Sequence, residues 1–336
     1  MVSLSNHERT NHPRFAGIPR SPFDKLGANE RLNQGFLSVA LALIVAFMSR
    51  SRTARTTSRK KRKKRRRHPR FPIFWPGARL RRRALRALLA APRVAQIIIV
   101  AVVVLALWSA TNWVYQVVRK PAELLFPVSG TLSKTPSDTW RQYQPIFHAH
   151  STAVITPELL AALAQVEGAG NPVARTYWRW HPTWDLFELY RPASSAVGMY
   201  QITDATFAEA KRYCIHDHVV VEDGPWNELR SCWFNSLYTR VVPTHAAELT
   251  SAYLDRRVAS TLERNRIAGA TLPQQQDLAA VIHLCGAGAG DAYAKRGFRL
   301  TAGQRCGDHD VRGYLARVNA MRRVFARLAT VVRWAE

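Results

Sequence analysis

The longest uncharged stretch in the chain is VAQIIIVAVVVLALWSATNWVYQVV, residues 94–118. At about 1.5 Å per residue it is long enough, as a helix, to cross the ~30 Å hydrocarbon layer of a bilayer. A soluble helix of this length needs a polar face, and this one has none, so the pattern predicts a single transmembrane helix. Trp108, Trp113 and Tyr115 lie toward its far end, where amphipathic rings settle at the membrane interface. A second apolar run, GFLSVALALIVAF (35–47), is too short to span comfortably and is followed by Met48. Two readings of it stay open: translation starting at Met48, which makes residues 1–47 an extension, or a membrane-surface segment.

Residues 119–150 contain four prolines and no sustained period, which predicts a tether. From 151 onward the pattern turns helical and stays so, apart from the short strand-like DHVVVED (217–223). The expectation is a mostly α domain over residues 151–336, of single-domain size. Its first helix is ITPELLAALAQVEGAG (155–170). Thr156 suits the N-cap, Pro157 the first helical position, and Glu158 the positive end of the dipole. Leu159, Leu160, Leu163 and Val166 form an apolar stripe, and Glu167, one turn after Leu163, falls beside it. Gly168 and Gly170 are placed to end the helix. Downstream, SSAVGMYQITDATFAEA (194–210) puts Gly198 and Gln201 in a loop, with a helix opening after Thr203. DLAAVIHLCGAGAGDAYAKRG (277–297) runs from a helix into a glycine-rich segment, and VRGYLARVNAMRRVFARL (311–328) is amphipathic with Tyr314 near its start.

Charge changes the picture only at one end. The formal net charge is +26, but residues 1–94 carry 24 Lys/Arg against 3 Asp/Glu, and residues 95–336 carry 25 against 20. The excess sits in SRKKRKKRRRHPR (58–70) and ARLRRRALRALLA (78–90), runs that repel themselves and have nothing to bury, so residues 1–93 read as a largely disordered basic segment. Lying just before the apolar stretch, they orient it by the positive-inside rule: residues 1–93 in the cytoplasm, everything after 118 outside. That makes 94–118 a signal anchor in the inner membrane and the following domain periplasmic. A cleaved signal peptide fits less well, because its n-region would be far too long. The basic run suits anionic lipid headgroups beside the anchor; nucleic acid is not expected as a partner.

All four cysteines, Cys214, Cys232, Cys285 and Cys306, fall in the exported part. An oxidising compartment favours disulfides, and four cysteines allow three pairings. The local pairing, Cys214–Cys232 with Cys285–Cys306, is preferred. Zinc is the rival, but no C-x-x-C pair is present and the nearby histidines lack ligand spacing.

Glu167 is the candidate for chemistry. Apolar surroundings and the negative end of the helix dipole both disfavour its carboxylate, so its pKa is expected to rise, as a general acid requires. Taken alone, a glutamate at a helix end is more often just exposed. The downstream segments change the odds. In order and spacing they resemble the lytic transglycosylases with an SLT-type, lysozyme-like catalytic domain. The family's Glu-Ser matches Glu167-Gly168, its Gly-Leu-Met-Gln matches Gly198–Gln201, its Ala-Tyr-Asn-Ala-Gly matches Leu284–Gly288 imperfectly, and its late tyrosine matches Tyr314. Gly168 stands where serine is usual, and Cys285 and Gly286 stand where tyrosine and asparagine are usual.

The resemblance implies cleavage of the β-1,4 bond between N-acetylmuramic acid (MurNAc) and N-acetylglucosamine (GlcNAc) in peptidoglycan, leaving a 1,6-anhydro end. It implies Glu167 as sole acid and base, with Gly198, Met199, Tyr200, Gln201, Ala287, Gly288 and Tyr314 binding substrate and no metal or cofactor. Asp185, Glu188 and Asp204 are the nearest second carboxylates and keep a lysozyme-type hydrolase open as an alternative. A catalytically weak peptidoglycan-binding module is another. The insert RTYWRWHPTWDLFELYRP (175–192) is rich in rings that either stack on sugars or fill a core. A single anchor also suits an enzyme that opens the wall for an envelope-spanning machine.

Overall fold

The computed structural model describes residues 86, 89–225, 227–228 and 231–333. The basic runs before residue 86, the apolar run 35–47 and Met48 lie outside the described residues.

The apolar stretch is one helix, α1 (Arg93–Arg119), and is the one helix among the described residues long and apolar enough to cross a membrane. Its apolar side chains, Ile97 to Leu107, are exposed. The segment expected to be a tether is folded instead. A 3-10 turn (Pro121–Leu125) and a short helix, α2 (Phe126–Ser129), follow α1 directly, and Pro136–Ala149 form a further helix, α3. The four prolines misled the expectation because two of them occupy first-turn positions, where the missing N–H costs nothing. Pro136 follows the N-cap Thr135, whose hydroxyl accepts from the Asp138 amide; Pro145 is accommodated inside α3. Trp140, Tyr143 and Phe147, spaced three and four apart on α3, are buried in the main core.

The next helix, α4 (Pro157–Gly168), begins as the sequence predicts, with the Thr156 hydroxyl accepting from the Leu159 amide. It is buried far more completely than a single stripe, with every residue from Leu159 to Ala164 inaccessible. The reason is packing by both α3 and the C-terminal helix α9 (Val311–Arg333), which also meet each other. Small alanines at 161, 162 and 164 let both neighbours approach. Trp140 of α3 reaches Phe325 of α9, with ring centroids 5.7 Å apart, and closes the core around α4.

The remaining elements enclose this centre. They are α5 (Asp204–Ala210), α6 (Pro243–Arg264), α7 (Leu272–Cys285) and α8 (Ala287–Lys295). Three two-stranded antiparallel hairpins decorate them: β1 (Trp178–Trp180) with β2 (Tyr190–Pro192), β3 (Tyr213–His216) with β4 (Val219–Glu222), and β5 (Arg305–Cys306) with β6 (His309–Asp310). Only β4 stood out in the sequence. Its partner turns through Asp217 and His218, both at positive φ, the backbone a tight two-residue hairpin needs. Both preferred disulfides are present. Cys214–Cys232 ties β3 to the segment before α6, and Cys285–Cys306 ties the end of α7 to β5, each with Cα atoms 5.4 Å apart.

If α3 belongs to the domain, Phe147→Ala should destabilise it by about 3–5 kcal/mol in urea unfolding, the usual cost of emptying a large buried aromatic site. An unchanged unfolding midpoint would return residues 136–149 to the status of a tether.

Candidate active site

Glu167 occupies the last turn of α4, where the buried helix reaches the surface. Its side chain is 17% exposed. Gly168 is the last helical residue; the left-handed cap is Ala169 (φ 49°), and Gly170 follows at φ 64°. Gly168 is helical and serves packing. A Cβ added there would lie 2.8 Å from the Met199 Cα and 2.9 Å from its carbonyl oxygen, both backbone atoms that cannot swing away. Glycine in place of the usual serine is therefore what lets the Gly198–Gln201 loop press against the end of α4.

That loop is a tight turn. Val197 and Ile202 exchange backbone hydrogen bonds, Gly198 sits at φ 84° and Gln201 at φ 49°. The Gly198 amide donates to the Ala174 carbonyl at 2.8 Å, and the Gln201 side-chain amide donates to the carbonyls of Ala174 and Gly198. Met199 and Tyr200 turn inward and are almost fully buried. Their expected contact with substrate thus cannot come from their side chains, which fill the core behind the loop; Gly198 is buried too, packed against the Arg240 carbonyl, and the accessible part of this motif is the half-buried Gln201.

From the other side, α9 supplies Tyr314. Its hydroxyl donates to Glu167 Oε1 at 2.5 Å. Burial first, then the neighbouring Glu167 charge and this hydrogen bond, push the phenol well above its ordinary pKa, so it remains a donor throughout the working pH range. Two residues before Cys285, His283 of α7 places Nε2 3.8 Å from the same Glu167 oxygen, with a side chain only 9% exposed. Sequence reasoning passed over His283; the one titratable side chain in the otherwise apolar LAAVIHLCG was the available signal. Ala287 and Gly288 open α8 immediately beyond, Gly288 exposed with open space where a side chain would stand.

The candidate second carboxylates are engaged elsewhere. Asp185 Oδ1 accepts from the Phe187 amide, Glu188 pairs with Arg119 and Arg191, and Asp204 pairs with Arg240 at 2.7 Å. Among the described residues the polar partners of Glu167 are Tyr314 and His283, both on Oε1, which leaves Oε2 for an incoming group.

Residues 144–271 match the family model described as the transglycosylase SLT domain. The matched residues include Glu167 and Gly198–Gln201 and end before His283 and Tyr314. Comparison with curated proteins finds no match, and neither does comparison with solved structures.

Gly168→Ser should force the loop off α4 and cost about 1–3 kcal/mol, as overpacking does; a thermal melt at or above the parent's would show that the loop has room. Tyr314→Phe keeps the packing and deletes one hydrogen bond to a charged group, worth about 1.5–3 kcal/mol. If that bond orients the carboxylate for reaction, kcat should fall about 10- to 100-fold, and unaltered kcat would exclude such a role.

Proposed function

We propose that the protein is a membrane-anchored lytic transglycosylase that cleaves the MurNAc-β-1,4-GlcNAc bond of peptidoglycan and leaves 1,6-anhydro-MurNAc ends. The observation that carries the reading is the single carboxylate of Glu167, fixed at Oε1 by Tyr314 and left with Oε2 for substrate. The glycan lies across the surface formed by Gln201, Ala287 and Gly288, with Gly198, Met199 and Tyr200 supporting it from within. Protonated Glu167 gives its proton to the glycosidic oxygen, and the GlcNAc side departs as an alcohol. The resulting carboxylate then takes the proton from the MurNAc 6-hydroxyl, whose oxygen bonds to C1 and closes the anhydro ring. One group serves as acid and then base, so each turnover restores the protonated form without a second carboxylate. Water is not consumed. The engagement of Asp185, Glu188 and Asp204 in other contacts supports this route over the two-carboxylate hydrolytic one.

The anchor is α1, and the Lys/Arg excess before it supports a cytoplasmic N-terminus, with the catalytic domain in the periplasm against the inner membrane. The two disulfides suit that compartment. The partner is the glycan strand, in the service of an envelope-spanning machine.

The test is Glu167→Gln in the full-length protein, assayed on purified sacculi with mass spectrometry of the products. Turnover should fall by at least about 10²–10⁴-fold, since a general acid alone contributes that much, while the fold is retained. Parent products should carry 1,6-anhydro ends. Reducing-end products instead would make the enzyme a hydrolase, and undiminished turnover by the variant would remove Glu167 from the chemistry.

A further inference from the structure

The insert at residues 175–192 has no part in the catalytic proposal, yet it is the most aromatic segment of the domain. Its hairpin, β1 with β2, packs against α1. Three side chains on one face of that helix each donate to a backbone carbonyl of the insert: Trp108 Nε1 to Leu186 at 3.1 Å, Asn112 Nδ2 to Tyr190 at 2.7 Å, and Gln116 Nε2 to Phe187 at 2.6 Å. Arg119 pairs with Glu188 on the same face. Rings reinforce the contact: Trp108 stacks on Trp180 with centroids 6.0 Å apart, and Tyr115 packs on Phe187 at 5.0 Å. The junction is rigid as well. Glu123, in the turn after α1, is buried and joined to Lys120, to Arg175 and to the Trp178 indole at the start of the insert.

Asn112 and Gln116 are polar positions in a helix otherwise fit for lipid, and both are buried by the insert. An unsatisfied polar group in hydrocarbon is costly, and here the insert's carbonyls are the acceptors. Counted from Val94, about twenty helical residues cross the hydrocarbon layer, which puts its outer boundary near residue 113. The face from Trp108 to Arg119, about 16 Å long, straddles that boundary. The insert therefore lies at the depth where the bilayer turns from acyl chain to headgroup. Its free surface suits that depth: Trp180 is 63% exposed, Leu186 63%, and Trp184 wholly exposed, with no core to enter. Arg179, in register with Arg191 across β1 and β2, is an exposed cation fit for anionic headgroups, while Arg191 is held by Glu188.

We propose that the hairpin is seated in the outer leaflet of the membrane, with Trp180, Trp184 and Leu186 among the lipids, so that the bilayer itself is the partner of this surface and the domain is held flush against it. The proposal rests on α1 spanning the membrane. The full chain, reconstituted into vesicles of phosphatidylethanolamine and phosphatidylglycerol, tests both. An environment-sensitive fluorophore is placed at Trp184→Cys in one sample and at Val103→Cys, in the middle of α1, in another; the native cysteines are occupied in disulfides. Both labels should be blue-shifted, quenched by spin-labelled lipid and protected from aqueous iodide. Iodide access at 184 with lipid quenching at 103 would overturn the seating and leave the anchor standing. Protection at 184 from both quenchers would mean that protein covers the hairpin, which also overturns it. Iodide access at both positions would remove the anchor and the seating together.

Discussion

A helix that is buried on every side has to bring its end to the surface somewhere, and in this domain that constraint organises everything else. α4 is enclosed by α3 and α9 along the run from Leu159 to Ala164, so its first exposed functional group is Glu167, in the last turn. The same α9 that covers the helix carries Tyr314, which is why the hydrogen bond that fixes the carboxylate follows from core packing. The same close packing at Gly168 brings in the Gly198–Gln201 loop. Carboxylate, positioning phenol and loop are thus three consequences of one buried helix. Disturbing the core at Phe147 or Phe325 would be felt at the site through α3 and α9, without touching a residue that faces the glycan.

How much of this was legible beforehand depended on whether a signal was local. The N-cap at Thr156, the helix after Thr203, the membrane-length helix and the placing of Tyr314 on a helix all rest on short-range periodicity or capping, and the structure has them. So do both disulfides, whose short loops made the local pairing favourable. What stayed hidden depends on long-range contacts. Nothing between 119 and 150 announces that Trp140 meets Phe325, almost two hundred residues later, so four prolines outweighed a real helix. Met199 and Tyr200 looked like part of a binding motif because motif residues were read as a unit; the structure divides them, with Gly198, Met199 and Tyr200 buried and Gln201 alone half-accessible. The sequence marked His283 only as a titratable side chain in an apolar run; its approach to Glu167 exists only in the folded chain.

Replacing the expected tether by folded structure alters the functional picture. A domain on a flexible strap would sample the wall over a radius set by the strap. Here α1 runs into a turn whose Glu123 is buried between Lys120 and Arg175, and the aromatic insert clasps the helix over its last three turns. On the anchoring proposed above, orientation would be inherited from α1, the height of Glu167 above the bilayer would be a fixed property of the fold, and peptidoglycan would have to come to Glu167 at that height. Such an arrangement suits cleavage confined to the wall directly over the anchor, since a rigid domain has a reach no longer than its own dimensions. It would also account for a hairpin with three large exposed apolar side chains that takes no part in the proposed chemistry of α4, α9 and two loops. In water that surface is a liability; against a leaflet it supplies a second point of attachment, and two points fix a plane of approach where a single helix leaves the domain free to rotate and tilt.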